Sequence, residues 1–157
     1  MSDFQNVDIL LAEDSATDAE MTIRALRKRG LANDLIWVKD GREALDFLQH
    51  VGVYAGRTTS RPKLILLDIK MPRVDGIEVL RYILGDEELR TIPVVMLTSS
   101  AEDRDVIESY KLGANSYIVK PVDPDDFNRV VAEVGMYWML VNKVPPPIAV
   151  VALNEVP

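Results

Sequence analysis

Short apolar runs alternate with amphipathic stretches from residue 7 to about residue 142. The alternation favours a parallel sheet with crossover helices, because strands buried on both faces are apolar throughout whereas surface helices are apolar on one side. Five runs predict the strands: residues 7–12, 35–38, 64–67, 92–97 and 116–119. The predicted fold is therefore α/β, a doubly wound five-stranded parallel sheet with strand order 2-1-3-4-5.

The stretches between these runs predict helices. In the first, Ala19, Ile23 and Leu26 keep helical spacing, and Gly30 is expected to end the helix. This first helix is expected over residues 16–30. Further helices are expected from residue 41, from 76, over 103–112 and from about 124 to 142. The polar, glycine-containing segment 52–61 is predicted to be a loop.

The chain of 157 residues suits one domain with a short extension. We assign residues 1–143 to that domain and residues 144–157 to a proline-rich C-terminal arm, with no output domain. Three prolines, at 145–147, cannot continue a helix, and the apolar run 148–153 follows them. An extended apolar arm favours exchange between two copies, so a homodimer through the C-terminal region is predicted; an arm folded back on its own domain and a frayed terminus are the alternatives.

Composition excludes several classes of protein. With 48% hydrophobic and 27% charged residues the chain is expected to be globular, and the lack of cysteine excludes disulfide frameworks and thiolate metal sites. No signal peptide and no membrane-spanning run is seen, so the cytoplasm is the expected location and no membrane partner is predicted. The net charge of −7 argues against a nucleic-acid partner.

Charged and hydroxyl side chains follow four of the predicted strands. Glu13 and Asp14 follow the first, Asp68 the third, Thr98 ends the fourth, and Lys120 follows the fifth. Strand order 2-1-3-4-5 places strands one and three side by side, so three carboxylates should converge at the carboxyl edge of the sheet.

Three converging carboxylates repel one another unless a cation compensates them. Carboxylate and water ligands suit Mg²⁺, and a carboxylate–Mg²⁺–lysine cluster with a nearby hydroxyl is suited to phosphoryl transfer. Asp68 would be the nucleophile. Alternatively, Glu13 and Asp14 could simply cap the first helix.

The chain resembles the receiver domains of two-component response regulators over residues 7 to about 142. The resemblance rests on the acid pair Glu13-Asp14, the segment from Leu64 through Asp68 to Gly76, Thr98, and the run from Gly113 to Pro121. It implies the flavodoxin-like receiver fold. It also implies that the protein is not an enzyme, apart from catalysing its own phosphorylation and dephosphorylation.

The resemblance also implies roles for individual residues. Asp68 accepts the phosphoryl group from a sensor histidine kinase, and Asp14 and Asp68 ligate Mg²⁺. Glu13 contributes through water and Lys70 through its backbone carbonyl. Thr98 and Lys120 contact the phosphoryl group, Tyr117 is the switch aromatic, and the Lys120–Pro121 bond is expected to be cis.

A subgroup is indicated by the long loop 52–61, the run 91–98 and the segment 136–138, which look like small regulators paired with phytochrome-type histidine kinases. The expected output is a phosphorylation-dependent contact with a downstream protein that the sequence does not identify; a phosphoryl relay and a phosphate sink are the alternatives. The sole histidine, His50, falls at a helix–loop junction and not in the helical bundle that a relay histidine needs.

Two other functions use similar residues. A Mg²⁺-dependent phosphatase or phosphotransferase of haloacid-dehalogenase type also has an aspartyl nucleophile, but it needs a second Asp two residues later, where this chain has Lys70. A flavodoxin-like cofactor binder would need a phosphate loop after the first strand, where Glu13 and Asp14 would repel phosphate.

Overall fold

The computed structural model describes residues 7–57, 61–98, 111–120 and 124–138. Its sheet has five parallel strands in the order β2-β1-β3-β4-β5, which confirms the predicted topology. The strands are β1 (Ile9–Ala12), β2 (Leu35–Val38), β3 (Leu64–Asp68), β4 (Val94–Thr98) and β5 (Ser116–Val119).

The described helices are α1 (Ala16–Arg27), α2 (Gly41–Gln49), α3 (Gly76–Gly85) and a C-terminal helix (Pro124–Met136). Helices α1, α2 and α3 begin after Ser15, Asp40 and Asp75, whose side chains accept the backbone N–H three residues on. Short oxygen-bearing side chains are the preferred N-caps because they satisfy an N–H that the helix leaves unpaired.

The core lies on both faces of the sheet. Along β3, Ile65 and Leu67 pack on one face, with residues of α2 and α3, while Leu64 and Leu66 pack on the other, with α1 and the C-terminal helix. All five residues of this strand are buried, as expected for a central parallel strand. The central position of β3 places its last residue, Asp68, in the middle of the carboxyl edge.

Several predicted boundaries were wrong. Helix α1 ends at Arg27, and the chain turns through Gly30, whose φ is +72°. Strand β4 begins at Val94, because the N–H of Ile92 bonds back to Leu89 and Pro93 has no N–H to donate to a ladder. The predicted loop 52–61 contains a 3₁₀ helix, Gly52–Tyr54, and buries both Tyr54 and Arg57.

Two predicted segments fall largely or wholly outside the described residues. Of the predicted helix 103–112, only Lys111 and Leu112 are described, and both are helical. The arm 144–157 lies wholly outside. No helix within the described ranges is long and apolar enough to cross a membrane.

Candidate functional site

The strand register brings the predicted site residues to one edge. Ala12 pairs with Leu67, so Glu13 follows β1 at the level where Asp68 ends β3. Thr98 pairs with Val119, so Lys120 directly follows the end of β5. We call this side of the sheet the carboxyl edge, and the opposite side, where the strands begin, the amino edge.

A carboxylate cluster occupies the carboxyl edge. Glu13 is fully buried, Asp68 is 5% exposed and Asp14 is exposed to solvent. One carboxylate oxygen from each lies within 4.8 Å of the others. Three oxygen donors this close, with one open to solvent, fit a hard divalent cation such as Mg²⁺ or Mn²⁺.

Lys120 provides the positive charge in the cluster. Its ammonium donates one hydrogen bond to Glu13 Oε1 and another, of 2.9 Å, to Asp18 Oδ2. The Oδ2 atom of Asp68 lies 3.6 Å from the same nitrogen. Lys120 therefore touches three carboxylates, and its own side chain is only 10% exposed.

The pKa values of the cluster reflect these contacts. Burial raises the pKa of Asp68 to about 8, helped by a hydrogen bond with Glu13 and by the charges of Glu13 and Asp14, against the opposing charge of Lys120. Burial alone would lower the pKa of Lys120, but hydrogen bonds to Glu13 and Asp18, together with the charges of Asp68 and Glu13, outweigh it and raise the pKa overall. Without a metal ion, Asp68 thus holds a proton to unusually high pH.

The loop after β3 is built around a glycine. The backbone of Gly76 is so close to β3 that an added Cβ would lie 2.0 Å from the carbonyl oxygen of Asp68. Its N–H donates to the carbonyl of Ile69 at 2.7 Å. The start of α3 is thereby fixed against the end of β3, which holds the Asp68 backbone in place.

The other predicted site residues lie in the loop after β3 or in strands β4 and β5. Lys70 is exposed two residues after Asp68. Thr98 ends β4, and Tyr117 lies in β5, where it pairs with Met96. The roles assigned to these residues stay predictions. Pro121 is outside the described residues, and so is the predicted cis bond that precedes it.

Sequence reasoning missed Asp18, which contacts Lys120 from the first turn of α1. The available signal was the pair Ser15 and Asp18, three residues apart at a helix start. This spacing is typical of a helix cap, and it gave no reason to place the carboxylate in the site.

A buried cation, Arg57, lies at the amino edge. Its Nη2 donates to the carbonyl of Phe47 and to Nε2 of His50, both at 2.8 Å, and its guanidinium carbon lies 4.0 Å from the centre of the Phe47 ring. Because arginine can only donate, Nε2 of His50 accepts, and the ring proton of the neutral imidazole sits on Nδ1. That nitrogen donates to the Arg57 carbonyl at 2.8 Å. Both ring nitrogens of His50 thus hold the loop, which argues against a phosphodonor role.

A protein-family model, that of the response regulator receiver domain, matches residues 9–132. This chain belongs to the response regulator receiver domain family. The match covers the whole described sheet and extends into the C-terminal helix. It confirms the resemblance on which the site residues were predicted.

Individual relatives agree with this receiver assignment. The chain is 41% identical over 139 residues to the probable methanogenesis regulatory protein FilR2 of Methanothrix harundinacea, covering 88% of both chains. It is 40% identical over 141 residues to the response regulator Rcp1 of Synechocystis, covering 88% of this chain and 95% of Rcp1.

Solved structures give the same result. A phosphorylated cyanobacterial phytochrome response regulator, RcpA, matches with a TM-score of 0.83 at 35% identity, over 90% of this chain and 99% of RcpA. The Mn²⁺-bound form of Rcp1 matches with a TM-score of 0.82 at 38% identity, over 89% of this chain and 99% of Rcp1. The similarity to small regulators of the phytochrome group, expected from the sequence, is confirmed.

Proposed function

We propose that this receiver domain is a phosphorylation-controlled switch that takes a phosphoryl group from a sensor histidine kinase onto Asp68. The observation that carries the proposal is the position of Asp68. It is buried at the end of the central strand, within 4.8 Å of oxygens of Glu13 and Asp14 and 3.6 Å from the ammonium of Lys120. Family membership and the phosphorylated state of the relative RcpA support it.

In the transfer, an Asp68 oxygen forms a bond to phosphorus while the bond from phosphorus to the histidine nitrogen of the donor breaks. The attacking carboxylate must be ionised, yet burial and its acidic neighbours hold the pKa of Asp68 at about 8. Lys120 opposes that rise and stabilises the ionised form. It also offers positive charge to the phosphoryl oxygens.

The metal site of the proposal consists of Asp14, Asp68 and the backbone carbonyl of Lys70. A bound Mg²⁺ would supply the charge that lets the carboxylates ionise together. Glu13 suits a contact through water, since its two oxygens already accept from Lys120 and from the N–H of Ser15. The Mn²⁺-bound form of Rcp1 supports a divalent cation in this position.

We assign the response to phosphorylation to Thr98 and Tyr117, as the family resemblance implies. The phosphoryl group is a new dianionic acceptor, which a hydroxyl and an ammonium at the ends of β4 and β5 can bond. The output is a contact with a downstream protein. The similarity to RcpA supports a kinase of phytochrome type. The homodimer through residues 144–157 stays a prediction.

Phosphorylation with acetyl phosphate and Mg²⁺ tests the proposal. Wild-type protein should acquire a label that is acid-stable and base-labile, and a chelator should prevent it. Asp68→Asn should abolish labelling and keep the fold. Asp75→Asn is the matched control, because asparagine also caps a helix and should therefore leave labelling unchanged. Full labelling of Asp68→Asn would reject Asp68 as the acceptor.

A further inference from the structure

The carboxylate of Asp18 holds the ammonium of Lys120 more closely than Asp68 does. The distance from Lys120 Nζ is 2.9 Å to Asp18 Oδ2 and 3.6 Å to Asp68 Oδ2. The side chain of Asp18 is 29% exposed, so it forms the outer side of this contact. Lys120 is thus held partly by Asp18, a residue outside the carboxylate cluster of Glu13, Asp14 and Asp68.

The local structure of α1 explains why Asp18 points to Lys120. Asp18 is the third helical residue, where an acid usually reaches back to the N–H of the N-cap residue. Here the N–H of Ser15 donates instead to Glu13 Oε2 at 3.3 Å. The carboxylate of Asp18 is therefore available for Lys120.

The backbone of Asp18 is held on both sides. Its N–H donates to Ser15 Oγ at 3.2 Å, and its carbonyl accepts the hydroxyl of the buried Thr22 at 2.9 Å. A carboxylate on a fixed backbone cannot easily follow a lysine that moves away. A shift of the ammonium toward a group on Asp68 would therefore compete with its contact with Asp18.

We propose that Asp18 is a positioning residue that retains Lys120 in the unphosphorylated state and opposes its transfer to a phosphoryl group on Asp68. The inference rests on the proposed phosphorylation of Asp68. Lys120 has one positive charge, and Glu13 and Asp18 already accept hydrogen bonds from it. A phosphoryl group competes for that charge, so the contact with Asp18 favours the unphosphorylated state.

The test is the ratio of phosphorylated to unphosphorylated protein at steady state with acetyl phosphate and Mg²⁺. Asp18→Asn should raise this ratio about threefold, the effect of losing one partly exposed ion pair. Asp18→Glu, which keeps the charge, should stay closer to the wild type. The control is Glu20→Gln, which removes an exposed charge from the same helix and should change nothing.

A second set of variants tests whether Asp18 acts through its contact with Lys120 or through its negative charge alone. If Asp18 acts through Lys120, Asp18→Asn should produce no rise in a chain that also carries Lys120→Met. A rise there would show that the negative charge of Asp18 acts without the lysine, and would overturn the proposal. Unfolding curves for every variant check that each one is folded.

The outcomes also separate this inference from the proposed function. A wild-type chain that takes up no label would reject the proposed function, and the role of Asp18 would fall with it. A wild-type chain that labels normally, while Asp18→Asn gives an unchanged or lower ratio, would overturn the role of Asp18 alone.

Discussion

Two cations among the described residues, the buried Arg57 and Lys120, whose side chain is 10% exposed, lie at opposite edges of the sheet and are held in different ways. Lys120 touches the carboxylates of Glu13, Asp18 and Asp68. Arg57 is held by a carbonyl, a neutral imidazole and an aromatic ring. The pKa of Lys120 is raised by its surroundings, whereas burial lowers the pKa of Arg57.

The difference indicates that Lys120 can take part in a switch, whereas Arg57 has a fixed structural role. A lysine among carboxylates can exchange partners when a metal ion or phosphoryl group changes the local charge. The three partners of Arg57 named above do not change charge in such an event, and they hold the loop after α2. Substitutions at the carboxyl edge should therefore alter phosphorylation, whereas substitutions at the amino edge should alter only the stability of the fold.

The largest effect is expected at Gly76, where Ala should lower the free energy of unfolding by about 3 kcal/mol. The new Cβ would lie 2.0 Å from the Asp68 carbonyl oxygen, so backbone must move, and phosphorylation should fall as well. Urea unfolding and acetyl phosphate labelling measure the two effects. Gly85→Ala is the control, because nothing lies within 4 Å of its added Cβ. Normal labelling of Gly76→Ala would show that this glycine is not needed to hold Asp68 in place.

A smaller effect is expected at the amino edge. Arg57→Met should cost about 2 kcal/mol of stability, because the Phe47 carbonyl and His50 Nε2 each lose a charged donor in a buried place. Labelling should be unchanged. Arg42→Met, which breaks a partly exposed pair with Asp46 and an exposed hydrogen bond to Gln49, should cost about 0.5 kcal/mol. Impaired labelling of Arg57→Met would contradict the separation of the two edges.

The smallest effect has the opposite sign. In chelator, Asp68→Asn should raise the free energy of unfolding by about 1 kcal/mol at pH 8. The pKa of Asp68 is raised to about 8 in the folded chain, so between about pH 4 and pH 8 the unfolded state loses this proton first and wild-type stability falls as pH rises.

Asparagine has no proton to lose, so the gap between the two proteins should widen over this range of pH. Added Mg²⁺ should narrow it by stabilising the wild type. Unfolding curves at several pH values check this, with Asp75→Asn as the control. A difference in the free energy of unfolding that does not change with pH would show that the charge of Asp68 does not destabilise the folded state.

The sequence predicts the fold well where hydrophobic pattern decides it. Strands β2 and β5 have the predicted bounds, because each is a short apolar run between turn residues. Strand β4 was misplaced because Ile92 is buried without joining the ladder, so hydrophobicity did not mark the boundary. The side chain of Asn115, which accepts the N–H of Val94 at 2.9 Å, helps to set the true start.

The candidate site was predictable where its residues end strands. Glu13, Asp14, Asp68 and Lys120 come together because topology alone brings the strand ends to one edge. Asp18 could not be found in this way, since its direction depends on which carboxylate takes the N–H of Ser15. Arg57 was missed because a charged residue in a polar segment is normally exposed.

The indole of Trp37 donates a 2.8 Å hydrogen bond to the backbone carbonyl of Glu13, and Lys39 lies 5.3 Å from its ring centre. The other tryptophan of the chain, Trp138, donates instead to Ser116 Oγ, where β5 begins. Each edge of the sheet therefore contains one of the two tryptophans. Emission from single-tryptophan variants, with phenylalanine at the other position, would report events at the carboxyl and amino edges separately and without an attached dye.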